Sequence, residues 1–284
     1  MLSTIAHLPM NPKLKGQAEI KQHIVYSSNG QELTLILPWT TPDDRAPMPL
    51  IVFVQGSGWT TPNLDYEIPM LSHFAEEGIA VATVSHRSTC DGHTFPAYLQ
   101  DVKCAIRYLR AHAAEYTIDP ERIAAFGTSS GGNTVCLVGL TGNDPRFRTD
   151  EYSEESDAVC AVVSCFAPTD LTALYGMRQN TDAALTANFG PNKDLWSEML
   201  HTFSPVDQVQ YGKTYPSFLL LHGTNDPLVP YQQMEDLYTR LTKAGADVKA
   251  YYVDGAEHEG NFWSPEVRRV IHDELLQQLH WSLR

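Results

Sequence analysis

Arg122–Gly132 reads RIAAFGTSSGG, and this stretch decides the fold. RIAAFG is a short apolar run of the kind found in a strand buried on both faces. SGGNTVCLVGL, from Ser130 to Leu140, reads as a helix. Between them, Gly127, Thr128, Ser129, Ser130 and Gly131 fit G-x-S-x-G. In a strand–turn–helix context, such a turn projects its central Ser above the sheet edge and strains its backbone. Glycines at 127 and 131 leave room where a Cβ would clash. The helix N-terminus adds main-chain N–H groups and the positive end of its dipole. Ser129 is therefore the candidate nucleophile. Ser130 lies one position off the pattern. The bland alternative is a Ser-rich N-cap without chemistry.

On either side, strands and helices alternate. EIKQHIVYS and QELTLILPW flank SSNG as a β-hairpin. A Pro-rich connection, TPDDRAPMP, leads to the apolar run PLIVFVQ. A helix is expected over Tyr66–Glu77, then the strand IAVATVS. PAYLQDVKCAIRYLRAHAAEY keeps helical spacing for about five turns, with Pro96 near its start. After the central stretch come the strands AVCAVVSCF, SFLLLHG and DVKAYYVDG. Their helices are QQMEDLYTRLTKAG, ending on Gly245, and EVRRVIHDELLQQLHWSL. This order predicts an α/β class chain: a mostly parallel eight-stranded sheet with helices on both faces, antiparallel at its start. Pro168–Tyr215 breaks the rhythm. It is expected to form a small helical cap, within a single domain spanning 1–284, over the sheet edge where active sites of open α/β sheets lie.

A serine nucleophile needs a base, and the base needs an orienting acid. After this kind of elbow they follow in the order acid, then His. Asp226, in HGTNDPLVP, stands just beyond a buried strand, in turn-forming sequence. His258, in DGAEHEGNFW, follows the next strand. Adjacent strand ends would bring both beside Ser129. Asp170, in APTDL, is the rival acid, and Asp254 is expected to shape the turn before His258. The other histidines, including His86, His222 and His272, are expected at the surface or in core packing. Main-chain donors for a developing oxyanion are expected from Ser130 and from the QGSGW loop, at Ser57 or Gly58. Trp59 is expected to wall the substrate pocket or to enter the core, and is the candidate substrate contact.

The composition narrows the partners. The formal net charge is −14, which argues against nucleic acid and anionic membranes, both of which need clustered Lys and Arg. Hydrophobic residues make up 43% and charged residues 19%, enough to build a full core. Five cysteines form no CxxC pair and read as reduced and mostly buried, so neither metal nor disulfide framework is expected. No apolar run approaches 18 residues, and MLSTIAHLPMNPKLKG lacks a signal-peptide pattern. A cytoplasmic protein is expected, and a homo-oligomer is compatible with the composition.

Taken together, QGSGW, the PAYLQDVKCAIRYLRAHAAEYTIDPERIAAFGTSSGG block, HGTNDPLVP and GAEHEGNFWSPEV resemble the small bacterial esterases and lipases of the α/β-hydrolase superfamily. Within it, the chain looks like the feruloyl/acetyl esterase-like branch related to hormone-sensitive-lipase-type enzymes. The resemblance runs from about Pro49 onward and is weakest in the cap. It implies an α/β-hydrolase fold and cleavage of small or medium neutral esters, acetyl or aromatic-acyl, some on carbohydrates, without cofactor or metal. It maps the triad onto Ser129, Asp226 and His258. QGSG stands where such enzymes usually have HGGG, so Gln55 replaces a His. An amidase, arylformamidase or peptidase would use the same triad. A non-catalytic binding protein on this fold would usually lack one of its members.

Overall fold

The computed structural model describes residues 6–9, 17–39 and 46–281. Most of the TPDDRAPMP connection and the last residues of the closing helix sequence lie outside them, as does most of the N-terminal segment.

One eight-stranded sheet runs in the order β1-β2-β4-β3-β5-β6-β7-β8. The strands are β1 (Ala18–Val25), β2 (Glu32–Pro38), β3 (Met48–Val54), β4 (Ala80–Val84), β5 (Ile118–Thr128), β6 (Ala161–Cys165), β7 (Ser217–Gly223) and β8 (Val248–Val253). The first hairpin pairs antiparallel and joins β4 antiparallel. From β4 through β3 to β8 every neighbouring pair is parallel. The expected strand count and mixed direction are therefore found.

The helices are α1 (Ile68–Glu76), α2 (Ala97–Ala111), α3 (Ala113–Tyr116), α4 (Ser129–Leu140), α5 (Leu171–Gly176), α6 (Asp182–Phe189), α7 (Trp196–Phe203), α8 (Pro205–Gln208), α9 (Gln232–Lys243) and α10 (Pro265–Gln278). The pleat of the strands divides their apolar residues between two cores. Leu50, Val52 and Val54 of β3 join a cluster with Val102, Leu109 and Leu137 from α2 and α4. Ile51 and Phe53 join the opposite cluster with Leu71 of α1 and Ile271 of α10. Burial on both faces explains why these strands read as unbroken apolar runs.

Some boundaries differ from the sequence expectation. The helix from Pro96 divides at His112 into α2 and α3, where the His112 ring also bonds the Tyr108 carbonyl at 2.8 Å. Helix α9 stops at Lys243, and Gly245, at φ 79°, carries the chain away. The 168–215 segment is helical, as α5–α8, but it does not sit apart. Leu171, Leu185, Trp196 and Phe203 belong to the main core cluster.

Periodicity did not foretell one feature. Lys103 and Arg107 of α2 have fully buried side chains. Lys103 Nζ reaches Asp157 Oδ1 at 2.8 Å and donates to the Thr141 carbonyl at 2.7 Å. Arg107 donates to Thr149 Oγ1 at 2.6 Å and to Asp157. The network ties α2 to the irregular segment between α4 and β6. Removing one partner strands a charge in the core. Asp157→Ala is expected to cost about 3–5 kcal/mol, read as a lower urea midpoint with an unchanged slope.

Candidate active site

The site is built at the carboxyl end of the parallel strands. β5 ends at Thr128, and α4 starts at Ser129, whose φ of 50° places it in the left-handed region. A non-glycine residue there is strained, and only surrounding structure holds it. That support is a close approach of chains. A Cβ on Gly131 would lie 2.1 Å from the Val54 carbonyl oxygen, so only Gly lets the elbow settle against the end of β3.

Ser129 Oγ lies 2.9 Å from His258 Nε2, and His258 Nδ1 lies 2.7 Å from Asp226 Oδ2. An ionised carboxylate only accepts hydrogen bonds, so Nδ1 carries the proton and donates to Asp226. Nε2 then accepts from the Ser129 hydroxyl. The His258 side chain is 10% exposed, and that of Asp226 is fully buried. Phe166 meets the His258 ring edge-on at 4.7 Å and limits its movement. The loops bearing the two residues are stitched together where Asn225 N–H donates to the Ala256 carbonyl at 2.9 Å.

Asp226 is held on every side. Its Oδ1 accepts the N–H groups of Leu228 and Val229 at 2.8 and 2.9 Å. Burial pushes its carboxyl up, but hydrogen bonds from His222, His258 and Val229 outweigh burial and keep it well below the usual carboxylate range. Asp170 is elsewhere: its Oδ1 caps α5 through the Ala173 N–H at 2.8 Å. Asp254 lies in the turn after β8.

The QGSG loop is pinned by the residues flanking Ser129. Gly56 N–H donates to Thr128 Oγ1, and Ser57 N–H donates to Ser130 Oγ, both at 2.9 Å. This corrects the expectation for Ser57, whose N–H is directed at a hydroxyl. Among the described residues, the N–H groups of Gly58 and Ser130 have no hydrogen-bonded acceptor. Gln55, in place of the usual His, accepts from Asn63 N–H at 2.5 Å and so braces the same loop. Trp59 is also corrected. The residue is 6% exposed and its ring packs at 4.9 Å against Phe203 and 6.2 Å against Tyr98, which makes it a core residue.

Sequence reading missed two contributions. The hydroxyls of Thr128 and Ser130 are structural anchors, a role that their place inside the motif conceals. His222 was expected in ordinary packing, yet its Nε2 stands 3.2 Å from Asp226 Oδ2. The i,i+4 spacing with the acid was the only signal. Beyond His258, Glu259 adopts φ 66° and ψ −161°, a region natural to Gly. Nearby Glu67 is pushed up to about 7, by burial and then by the Glu259 charge, with Arg268 opposing.

A family model described as BD-FAE matches residues 38–241. This chain belongs to the BD-FAE family. Over 216 residues it is 30% identical to the probable carboxylic ester hydrolase LipM of Mycobacterium tuberculosis, covering 75% of this chain and 50% of LipM. It is 26% identical over 247 residues to Esterase LipC of the same organism, covering 84% and 59%. The chain thus spans about half to three-fifths of the length of these relatives. Among solved structures, a truncated carbohydrate esterase from gut microbiota superposes with a TM-score of 0.80 at 26% identity, covering 94% of this chain and 98% of that one. The apo form of Thermogutta terrifontis esterase 2 shares the fold, with a TM-score of 0.76 at 22% identity and coverage of 92% and 94%. No helix among the described residues is long and apolar enough to cross a membrane.

Two outcomes are expected from this geometry. Gly131→Ala drives a Cβ into the Val54 carbonyl and should lower stability by about 1–3 kcal/mol, measured by thermal melting. Glu67 binds its proton more tightly when folded, so stability should fall as pH rises from 4.5 to about 7. Glu67→Gln should flatten that fall in urea titrations at pH 5 and pH 8.

Proposed function

We propose that this BD-FAE chain is a serine hydrolase of carboxylic esters that works through an acyl-Ser129 intermediate. The unbroken hydrogen-bonded series from Ser129 through His258 to the buried Asp226 carries this reading. His258 Nε2 takes the Ser129 proton as Oγ attacks the ester carbonyl. Gly58 and Ser130 N–H groups, at the loop and at the start of α4, are the donors for the oxyanion. The resulting imidazolium gives its proton to the departing alkoxide, which leaves as the alcohol. Water then enters, His258 takes its proton, and the hydroxide attacks the acyl carbon. Collapse of the second tetrahedral intermediate releases the carboxylic acid and returns the proton to Ser129. Asp226 holds the imidazole in the Nδ1–H tautomer and stabilises its charge.

Small acetyl or aromatic-acyl esters, some borne on carbohydrates, are the proposed substrates. The likeness to a carbohydrate esterase supports this class. The 168–215 helices form the proposed cap over the site. The five cysteines stand free, which supports a reducing, cytoplasmic setting.

Hydrolysis of p-nitrophenyl acetate tests the reading. Ser129→Ala should reduce kcat by about 10⁵–10⁶-fold, and Asp226→Asn by about 10⁴-fold, through the wrong tautomer. Asp170→Asn should keep kcat near wild type. A Ser129→Ala variant as fast as wild type would remove the nucleophile, and a larger loss at Asp170 would move the acid.

A further inference from the structure

We propose that His222 is a positioning residue for the reaction, acting through Asp226: it fixes the carboxylate that orients His258. The inference rests on Asp226 serving as the acid. His222 is the second-last residue of β7, and its side chain is 1% exposed. Its Nε2 lies 2.9 Å from the Val229 carbonyl oxygen and 3.2 Å from Asp226 Oδ2. Both partners only accept, so Nε2 must carry the hydrogen and share it between them. Nδ1 is buried with no partner among the described residues. A proton there would be a buried donor without an acceptor, which is costly. The geometry therefore selects the Nε2–H tautomer.

That single hydrogen holds two points of the acid loop against a rigid strand. The loop from Thr224 to Pro230 is otherwise irregular and half exposed. Within it, the Leu228 and Val229 N–H groups hold Oδ1 of Asp226, and they belong to the same loop as the carboxylate. Among the described residues, only His222 and His258 reach Oδ2. When His258 changes charge during turnover, His222 holds that oxygen from within the sheet. A carboxylate without it can rotate about its own side chain and lose the line to His258 Nδ1.

The test is kinetic and spectroscopic, on the full chain. His222→Phe keeps an aromatic ring of similar size and deletes the donor. It should lower kcat for p-nitrophenyl acetate by about 10- to 100-fold, while KM stays within about threefold. His222→Gln can present an amide N–H toward the same acceptors and should recover most of the loss. In an Asp226→Asn background, His222→Phe should cost nothing more, because it acts only through the carboxylate. A purely structural role would instead give additive losses. Nitrogen NMR of the wild-type protein should show His222 protonated at Nε2 and not at Nδ1, and Asp226→Asn should shift that Nε2 resonance. This measurement decides the matter even if the Phe variant does not fold. Wild-type kcat in His222→Phe, additivity with Asp226→Asn, or an Nδ1–H tautomer would each overturn the proposal. If those results appear while Ser129→Ala and Asp226→Asn are inactive, the esterase reading stands and only the role of His222 falls. Activity in Ser129→Ala would overturn the esterase reading itself.

Discussion

The constraint on which the rest of the site depends is the seat of the β5–α4 turn against the end of β3. Ser129 can occupy a left-handed backbone only because the chain on both sides is held: β5 by its parallel neighbours, α4 by the core, and Gly131 by contact with the Val54 carbonyl. The same contact brings the QGSG loop beside the elbow, where Thr128 and Ser130 hydroxyls capture its N–H groups. The elbow and the QGSG loop are thus one packed unit. A shift in either strand would disturb both.

Asp226 and His258, the proposed acid and base, are set by a second pairing, between the ends of β7 and β8. These strands are parallel neighbours, so the loops that follow them emerge at the same edge as the elbow. The cost of burying Asp226 is offset by donors from its own turn, from β7 and from His258. Fully hydrogen-bonded, the carboxylate is a stable anion in a dry place, where its effect on the imidazole is strongest. The strained Glu259 directly after His258 shows that this loop, too, is held by its surroundings rather than by local preference.

Much of this was legible along the chain. Eight strands, their order of appearance, the elbow and the positions of Ser129, Asp226 and His258 follow from short apolar runs and the turn residues that bound them. Other features were not legible, for physical reasons. The buried Lys103 and Arg107 look like the polar residues of a surface helix until Asp157, some fifty residues away, is placed beside them. Trp59 follows a Gly-rich loop and reads equally as a pocket wall or a core residue; only the enclosure of its ring by Phe203 and Tyr98 decides between them. The 168–215 helices read as a small cap over the sheet edge; that their apolar residues also complete the main core was not legible.

By itself, the sequence determined the fold class and singled out the candidate reacting groups, because periodicity and turn chemistry are local and need no partner. Only the tertiary structure decided where each main-chain donor points and what supports each reacting group. Whether the Ser57 N–H faces the site or a hydroxyl, and whether His222 fills space or grips Asp226, depends on chains brought together from distant parts of the sequence. Hydrogen bonds reach about 3 Å, and no pattern along a single chain encodes which distant atom will stand within that reach.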